Sequence, residues 1–334
     1  MQIFNQLASI TEPFKNAVIT IGNFDGVHIG HQALFYEVIE KAHMLDGTSL
    51  AMTFEPHPLR VLKQNNRPPL ITLLEQKVEL IERSGIEVLI CVPFDRQFAA
   101  MPADLFVEEM LVRRIGMKAI VVGEDYAFGK NRQGNIDLLK SMAPRLGFEV
   151  VVTSMVRTVR GMAERISSTA IRELVLQGKV ELACKMLGRR VQVRGTVVPG
   201  RDRGGRLLGV PTANIALEDE LCPKSGIYAV GVDVRGNSHA GVANIGYSPT
   251  FDDRQFTVEV HILDFHDTIY GEKIRVNFIR RLRDEMKFEG IEALRRQIEI
   301  DIDAARRVVS EGSAAAASKR TRPEHPAATH GQNR

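Results

Sequence analysis

The segment GNFDGVHIGHQAL, residues 22–34, sets two imidazoles, His28 and His31, three positions apart, behind Phe24 and an aspartate, Asp25, that lies between Gly22 and Gly26. Three kinds of chemistry use such parts. Paired histidines bind metals, but no third ligand stands nearby in the sequence, so this reading is the weaker one. A bare capping turn would not require two histidines. The third reading is phosphate chemistry. The pattern predicts that His31 begins a helix, whose free amides and dipole favour an anion. Gly26 and Gly30 let backbone come close to a phosphate. His28 and His31 can donate hydrogen bonds to charge that builds on a phosphoryl group in transfer.

RISSTAIR (165–172) offers similar means. Ser168 and Thr169 fall at a helix start, where hydroxyls cap, and Arg172 lies in the first turn, within reach of the same anion. Alone, this segment reads more simply as a cap. His57, in FEPHP (54–58), reads equally as a site residue and as an exposed side chain in a turn stiffened by Pro56 and Pro58. In GRDRGGRLLGVPTAN (200–214), Gly200, Gly204, Gly205, Arg206 and Gly209 form a loop that can wrap phosphates, or an ordinary hairpin loop. Thr212 and Asn214 carry hard oxygens suited to Mg²⁺. Glu259, in the alternating TVEVHILDF (257–265), faces away from the apolar side of its strand. It reads as a working carboxylate or as an exposed strand residue.

Positioning these residues falls to two textures. Strands at 17–22, 48–54, 86–92, 118–122 and 148–153 alternate with helices at 31–43, 74–84, 103–115 and 135–146. Near-continuous β-branched runs between helices predict a doubly wound parallel sheet covered on both faces. In such sheets ligands sit beyond the carboxyl ends of the strands. GNFDGVHIGH, FEPHP, GEDYAFGKNRQG (123–134, with Asp125) and RISSTAIR all fall at or after such ends, so four loops converge on one edge. From 191 onward the strands are short and alternating, at 191–198, 226–234, 240–245, 256–264 and 273–280, with glycine and proline between them. This predicts a small antiparallel barrel, closed by a helix at 290–309. The expected division is 1–186, 187–310, and a disordered tail at 311–334.

Composition narrows the class. The 334 residues carry a net charge of +3, and the tail, with four basic side chains against two acidic, leaves +1 for the body. That argues against nucleic-acid binding. No apolar run is long enough for a membrane span, and the start lacks the features of a secretory signal. Cys91, Cys184 and Cys222 are dispersed and odd in number, which fits a reducing cytoplasm.

GNFDGVHIGH with ISSTAIR resembles the HxGH adenylyltransferase superfamily, whose members use ATP without a Walker A motif, and none is present here. With FEPHP, VVGEDYAFGKNRQG, PTAN, GVANIGYSPTF (241–251), VEVHILDF and LRDEMKF (282–288), the chain resembles the prokaryotic bifunctional riboflavin kinase/FAD synthetase family over nearly all of 1–309. The resemblance implies a Rossmann-like nucleotidyltransferase domain followed by a six-stranded Greek-key barrel with a closing helix. It implies that riboflavin and ATP give FMN in the second domain, and that FMN and ATP give FAD and pyrophosphate in the first. Carried over by motif, His28 and His31 stabilise the adenylyl-transfer transition state, and Ser168, Thr169 and Arg172 hold the triphosphate. Gly22, Phe24, Asp25 and Gly26 shape the phosphate bed, with His57 and Asp125 beside it. In the barrel Thr212 and Asn214 ligate Mg²⁺, Glu259 is the base, and Arg283 and Glu285 belong to the flavin-side loop, where a barrel-edge salt bridge is the equal alternative. The chain departs from many relatives at Arg165, where they have lysine, and at Val210, where phenylalanine is frequent; Asp125 alternates with asparagine. Two rival readings keep the adenylyltransferase with a merely flavin-binding barrel, or make the barrel a nucleic-acid binder. Intact Thr212, Asn214 and Glu259 oppose the first. The absence of tryptophan and the near-neutral body oppose the second.

Overall fold

The computed structural model describes residues 1–62, 67–154, 166–200, 209–218, 220–249 and 254–320. They form two compact units: Met1–Gln177 with Leu182–Arg189 and Asp219–Cys222, and Gly178–Glu181 with Arg190–Glu218 and Pro223–Arg334. The main change of unit thus falls just beyond the expected 186.

The first unit is built on a parallel sheet of β1 (Gln2–Phe4), β2 (Ala17–Ile21), β3 (Ser49–Glu55), β4 (Val88–Pro93), β5 (Met117–Gly123) and β8 (Glu149–Thr153), in the order β1-β4-β3-β2-β5-β8. All five residues of β2 are buried, because helices cover both faces. Successive residues point to opposite sides, so Val18 and Ala51 pack with Phe35, Val38 and Ala42 of the helix Ile29–Met44 and Ile81 of the helix Leu74–Arg83. Ile19 and Met52 pack instead with Leu111 and Ile115, and with Leu139 of the helix Ile136–Leu146. The expected helix at 103–115 is a short α turn, Ala103–Leu105, followed by a π-helix, Phe106–Ile115. β1 has no counterpart among the expected strands, because three residues carry no alternation to read. A small hairpin, β6 (Ala127–Phe128) and β7 (Gly134–Asn135), folds out of the loop after β5. The chain runs outward from β2 through β3 to β4, then returns to β5 on the other side. The crevice between β2 and β5 is therefore the topological switch point.

The second unit is a closed antiparallel barrel in the order β10-β13-β12-β11-β14-β9: β9 (Val191–Val198), β10 (Ala213–Leu217), β11 (Gly226–Val234), β12 (Asn237–Pro249), β13 (Arg254–Ile262) and β14 (Lys273–Arg283). β11, β12 and β13 are consecutive neighbours, while β10 pairs with β13 and β14 with β11, which is Greek-key connectivity. The sixth strand, β10, begins inside PTAN, too close to Pro211 to announce itself. Ala243, Ile245, Val258, Val260 and Ile262 are buried, so Val242, Asn244, Glu259 and His261 face outward. The last helix, Ile291–Arg320, lies on the outer wall, where Ala305 and Val308 pack with Ala229, Val242, Ile279 and Leu282. It outruns the expected 309 and takes in the start of the expected tail, because SAAAASKR has strong helix propensity even without an apolar stripe. Residues 321–334 lie outside the described residues.

Candidate active sites

The loop after β2 is wound into uncommon backbone. Phe24, Gly26 and Val27 have φ of 45°, 86° and 38°, a region that strains phenylalanine and more so β-branched valine. Asp25 holds it there. Its buried carboxylate accepts from the amides of Ile71 (3.0 Å) and Thr72 (3.1 Å) and pairs with Arg172. Its carbonyl accepts from Ser168 Oγ (2.8 Å), and the carbonyl of Gly26 accepts from Arg189 (2.7 Å). The loop is thus tied to the RISSTAIR helix before any ligand arrives.

The two imidazoles stack, with centroids 3.6 Å apart and planes at 15°. His28, not His31, is the cap: the helix starts at Ile29, and His28 Nδ1 accepts from the His31 amide at 3.3 Å. The extended backbone of His28 (ψ 170°) swings its ring over the first turn. Burial lowers the His28 pKa to about 4, with Asp25 partly opposing, and holds His31 well below the usual histidine range. Both rings are therefore neutral at pH 7. A neutral His28 whose Nδ1 accepts carries its proton on Nε2, as a hydrogen-bond donor. Among the described residues the buried His31 Nδ1 has no partner, and the ring stands edge-on to Phe24 at 5.3 Å.

A cleft of about 350 Å³ opens at the switch point, beyond the carboxyl ends of β2, β5 and β8. Gly22, Phe24, His28, Gly30, His31, Asp125, Ser168 and Thr169 line it, as the sequence predicts. Four expected residues do not. Asp25 is spent beneath the loop. The amide of Gly26 donates to Thr72 Oγ1 (3.0 Å) and is not free for phosphate. Arg172 turns to Asp25 and donates to the Pro69 carbonyl (3.0 Å), because the buried carboxylate needs a counter-charge. His57 is buried rather than exposed, and its Nδ1 accepts from the Leu59 amide at 3.2 Å. So three of the four expected loops reach the cleft, and FEPHP does not. The helix cap in RISSTAIR is Ser167, which accepts from the Ala170 amide; Ser168 follows it and donates to Asp25 instead. Arg165 lies outside the described residues.

Sequence reading missed other members. Ser167, Thr153 and Tyr126 line the cleft, and among the described residues the buried Tyr126 hydroxyl and Thr153 Oγ1 have no partners. Thr153 ends β8, Tyr126 follows β5 and Ser167 caps a helix, and those positions were the only signals. Lys77 is buried to 3% exposure on a helix whose pattern reads as amphipathic. Burial lowers its pKa, while Asp25 and Glu55 oppose the shift. Among the described residues no cluster of three His, Cys, Asp or Glu side chains could hold a metal.

The second unit has its own cleft, of about 360 Å³, on the outer barrel wall beneath the last helix. Thr212, Glu259, Arg283 and Glu285 line it, with Asn244, His261 and Asp301, which the sequence did not single out. Register explains the grouping. Glu259 stands opposite Asn214 of β10 on one side and Asn244 of β12 on the other, and cross-strand partners share a face. Burial raises the Glu259 pKa above the ordinary carboxylate value. The protonated Nδ1 of His261 donates to the Pro211 carbonyl at 2.7 Å and fixes the residue before Thr212. Asn214 presses on Gly200 so closely that a Cβ there would lie 2.0 Å from Nδ2. Arg283 does form a salt bridge, but with the buried Asp301 of the last helix (2.6 Å) rather than with Glu285. Gly209 has φ 68°, and Gly204, Gly205 and Arg206 lie outside the described residues.

The family model for FAD synthetase matches residues 10–170, and that for riboflavin kinase matches 187–309. Proteins described as bifunctional riboflavin kinase/FMN adenylyltransferase are similar along nearly the whole chain. That of Haemophilus influenzae is 37% identical over 307 residues, covering 92% of this chain and 98% of its own. That of Escherichia coli K12 is 37% identical, covering 88% and 93%. That of Listeria monocytogenes is 40% identical, covering 86% and 90%. A crystal structure described as a macrolide-efflux protein from Streptococcus pneumoniae superposes with a TM-score of 0.81 at 32% identity, covering 91% of this chain and 98% of that one. Among the described residues of the present chain, no helix is long and apolar enough to cross a membrane.

Proposed function

The chain belongs to the bifunctional riboflavin kinase/FMN adenylyltransferase family, and from that membership we propose how its residues divide the work. The enzyme converts riboflavin and ATP to FMN in its second unit, and FMN and ATP to FAD and pyrophosphate in its first. The observation that carries our assignment of roles is the presence of one motif-lined cleft in each unit.

In the first cleft an oxygen of the FMN phosphate attacks the α-phosphorus of ATP, and the bond to pyrophosphate breaks. The phosphate is already ionised, so no base is required. Charge grows on the oxygens of the phosphoryl group in flight. His28, donating through Nε2, and the amides at the start of the helix Ile29–Met44 meet that charge. His31 backs His28 by stacking. Thr169, Asp125 and the Ser167 cap contact the nucleotide from the facing loops. Asp25 and Arg172 act beneath, holding the loop in register with the RISSTAIR helix.

In the second cleft Glu259 takes the proton of the ribityl 5′-hydroxyl as that oxygen bonds the γ-phosphorus and ADP departs. A carboxylate half-withdrawn from water is a stronger base than an exposed one. Thr212 and Asn214 fit Mg²⁺ by donor chemistry, and Gly200 leaves the carboxamide room that any side chain would fill. Bound there, the ion supplies charge neutralisation on the ATP phosphates. Three free cysteines accord with a cytoplasmic setting. The test is to incubate pure protein with riboflavin, ATP and Mg²⁺ and to separate the flavins by chromatography. FMN should appear first and FAD after it, and a chain that makes neither loses this assignment of roles.

A further inference from the structure

Asn244 lies in the middle of β12 with its side chain on the outer barrel wall, lining the kinase cleft. Its Oδ1 is buried and, among the described residues, has no hydrogen-bond partner. An unpaired buried acceptor costs stability, of the order of 1–3 kcal/mol, unless something in the working protein satisfies it. Its neighbours suggest what does. Glu259 is directly opposite it across β12–β13, and Asn214 is opposite Glu259 across β13–β10. Three polar side chains thus cross three adjacent strands in one row, roughly 5 Å from one to the next.

The row has a direction. Its β10 end is the proposed metal and phosphate end, since Asn214 lies on β10 and Thr212 just before it. Its centre is the carboxylate that receives the proton. Whatever touches Glu259 at the moment of transfer is the acceptor hydroxyl, so the remainder of the acceptor molecule extends away from Asn214, over β12. A carbonyl oxygen waiting at that place faces a chain of hydroxyl donors. We propose that Asn244 is a substrate-binding residue of the kinase site, whose Oδ1 accepts a hydrogen bond from a hydroxyl of the ribityl chain of riboflavin. Asn244 then selects for the polyhydroxyl tail rather than the ring and holds the 5′-oxygen against Glu259.

The inference rests on the reading of Glu259 as the base, and the two fail in different measurements. The probe pair is riboflavin and lumiflavin, which share the ring system and differ in the ribityl chain. Binding of each to the full chain is followed by flavin fluorescence in Mg²⁺ and ADP, where nothing turns over. Asn244→Ala should weaken riboflavin about tenfold, the effect of one lost hydrogen bond, and leave lumiflavin unchanged. Asn244→Ser, which keeps a shorter acceptor, should recover part of the loss. In turnover, the riboflavin KM of both variants should rise while the ATP KM stays at the parent value. A riboflavin-to-lumiflavin affinity ratio equal to the parent's in folded Asn244→Ala overturns the proposal, as does equal weakening of both flavins by that variant. The Glu259 reading is judged separately, by the turnover of Glu259→Gln, and its failure leaves the affinity ratio as a standing test of Asn244.

Discussion

Asp25 and Arg172, 147 positions apart in the chain, meet in a buried ion pair beneath the loop that follows β2, the carboxylate 2% exposed and the guanidinium 12%. A motif arginine near a proposed ATP site invites the reading that it binds phosphate, and here its charge is already engaged by Asp25. Arg172→Met should therefore act first on stability. It leaves a buried carboxylate without a counter-charge, at a cost of about 3–5 kcal/mol. Thermal unfolding should show the loss without any nucleotide present, and FAD formation should fall while FMN formation persists. Parent-like stability with only a raised ATP KM would return Arg172 to the triphosphate.

The imidazole stack makes a different demand. His28→Ala removes the proposed donor to the transferring phosphoryl group, and loss of one such donor typically costs about 10²–10³ in rate. FMN should accumulate from riboflavin because the barrel is untouched. Equal loss of both activities would tie the two units together in a way this reading does not contain.

Much of this was legible in the sequence, and the boundary of legibility has physical causes. The alternation of β-branched runs with helical stripes predicts the doubly wound sheet, because both faces of a parallel sheet must be covered. Spacing also brings His28, His31, Asp125 and Thr169 to one edge. What it does not carry is where a polar side chain spends its hydrogen bonds. Asp25, Arg172 and the amide of Gly26 look free in the sequence and are consumed by Ile71, Thr72 and Pro69, more than forty residues from Asp25 and a hundred from Arg172. The place of Asn244 beside Glu259 was hidden likewise, since it comes from register, and register is a property of pairing rather than of spacing.

Stability of the first unit should depend on pH well above the carboxylate range. Burial sets the His28 and His57 pKa values at about 4 and holds His31 low, against 6.5 for a free side chain. As pH falls below 6.5 the unfolded chain binds protons that the folded chain refuses, so stability drops; below about 4, His28 and His57 are protonated in both states and their contribution is gone. For His28 alone the difference amounts to about 3 kcal/mol. Urea midpoints measured between pH 7 and pH 4.5 should decline, and His28→Gln should flatten the slope. A midpoint constant over that window contradicts neutral, buried imidazoles.

Gly200→Ala tests the proposed metal end of the barrel. A Cβ there meets the Asn214 carboxamide at 2.0 Å, so the side chain must swing away. Displacing the support of a metal ligand typically costs 10–100-fold in affinity. The Mg²⁺ concentration giving half-maximal FMN formation should rise by roughly tenfold or more, with maximal rate largely recovered at high Mg²⁺. An unchanged Mg²⁺ dependence would separate Asn214 from the ion.

Glu259→Gln keeps the size and hydrogen-bonding reach of the side chain and removes its capacity to take a proton. Riboflavin should bind as before, while its phosphorylation slows by on the order of 10²–10⁴. Because burial raises the Glu259 pKa, the acid limb of the parent kinase profile should lie above the 4.5 of an ordinary glutamate. That limb belongs to the deprotonated carboxylate, so it should vanish from what activity the variant retains. The barrel should fold normally, since the side chain stands outside the apolar interior formed by Val258 and Val260. FMN added directly should still become FAD at the parent rate, because that reaction uses the cleft of the other unit. The pH profile carries the decision. A merely structural glutamate would lower the rate at every pH alike, whereas a base removes the acid limb along with the rate.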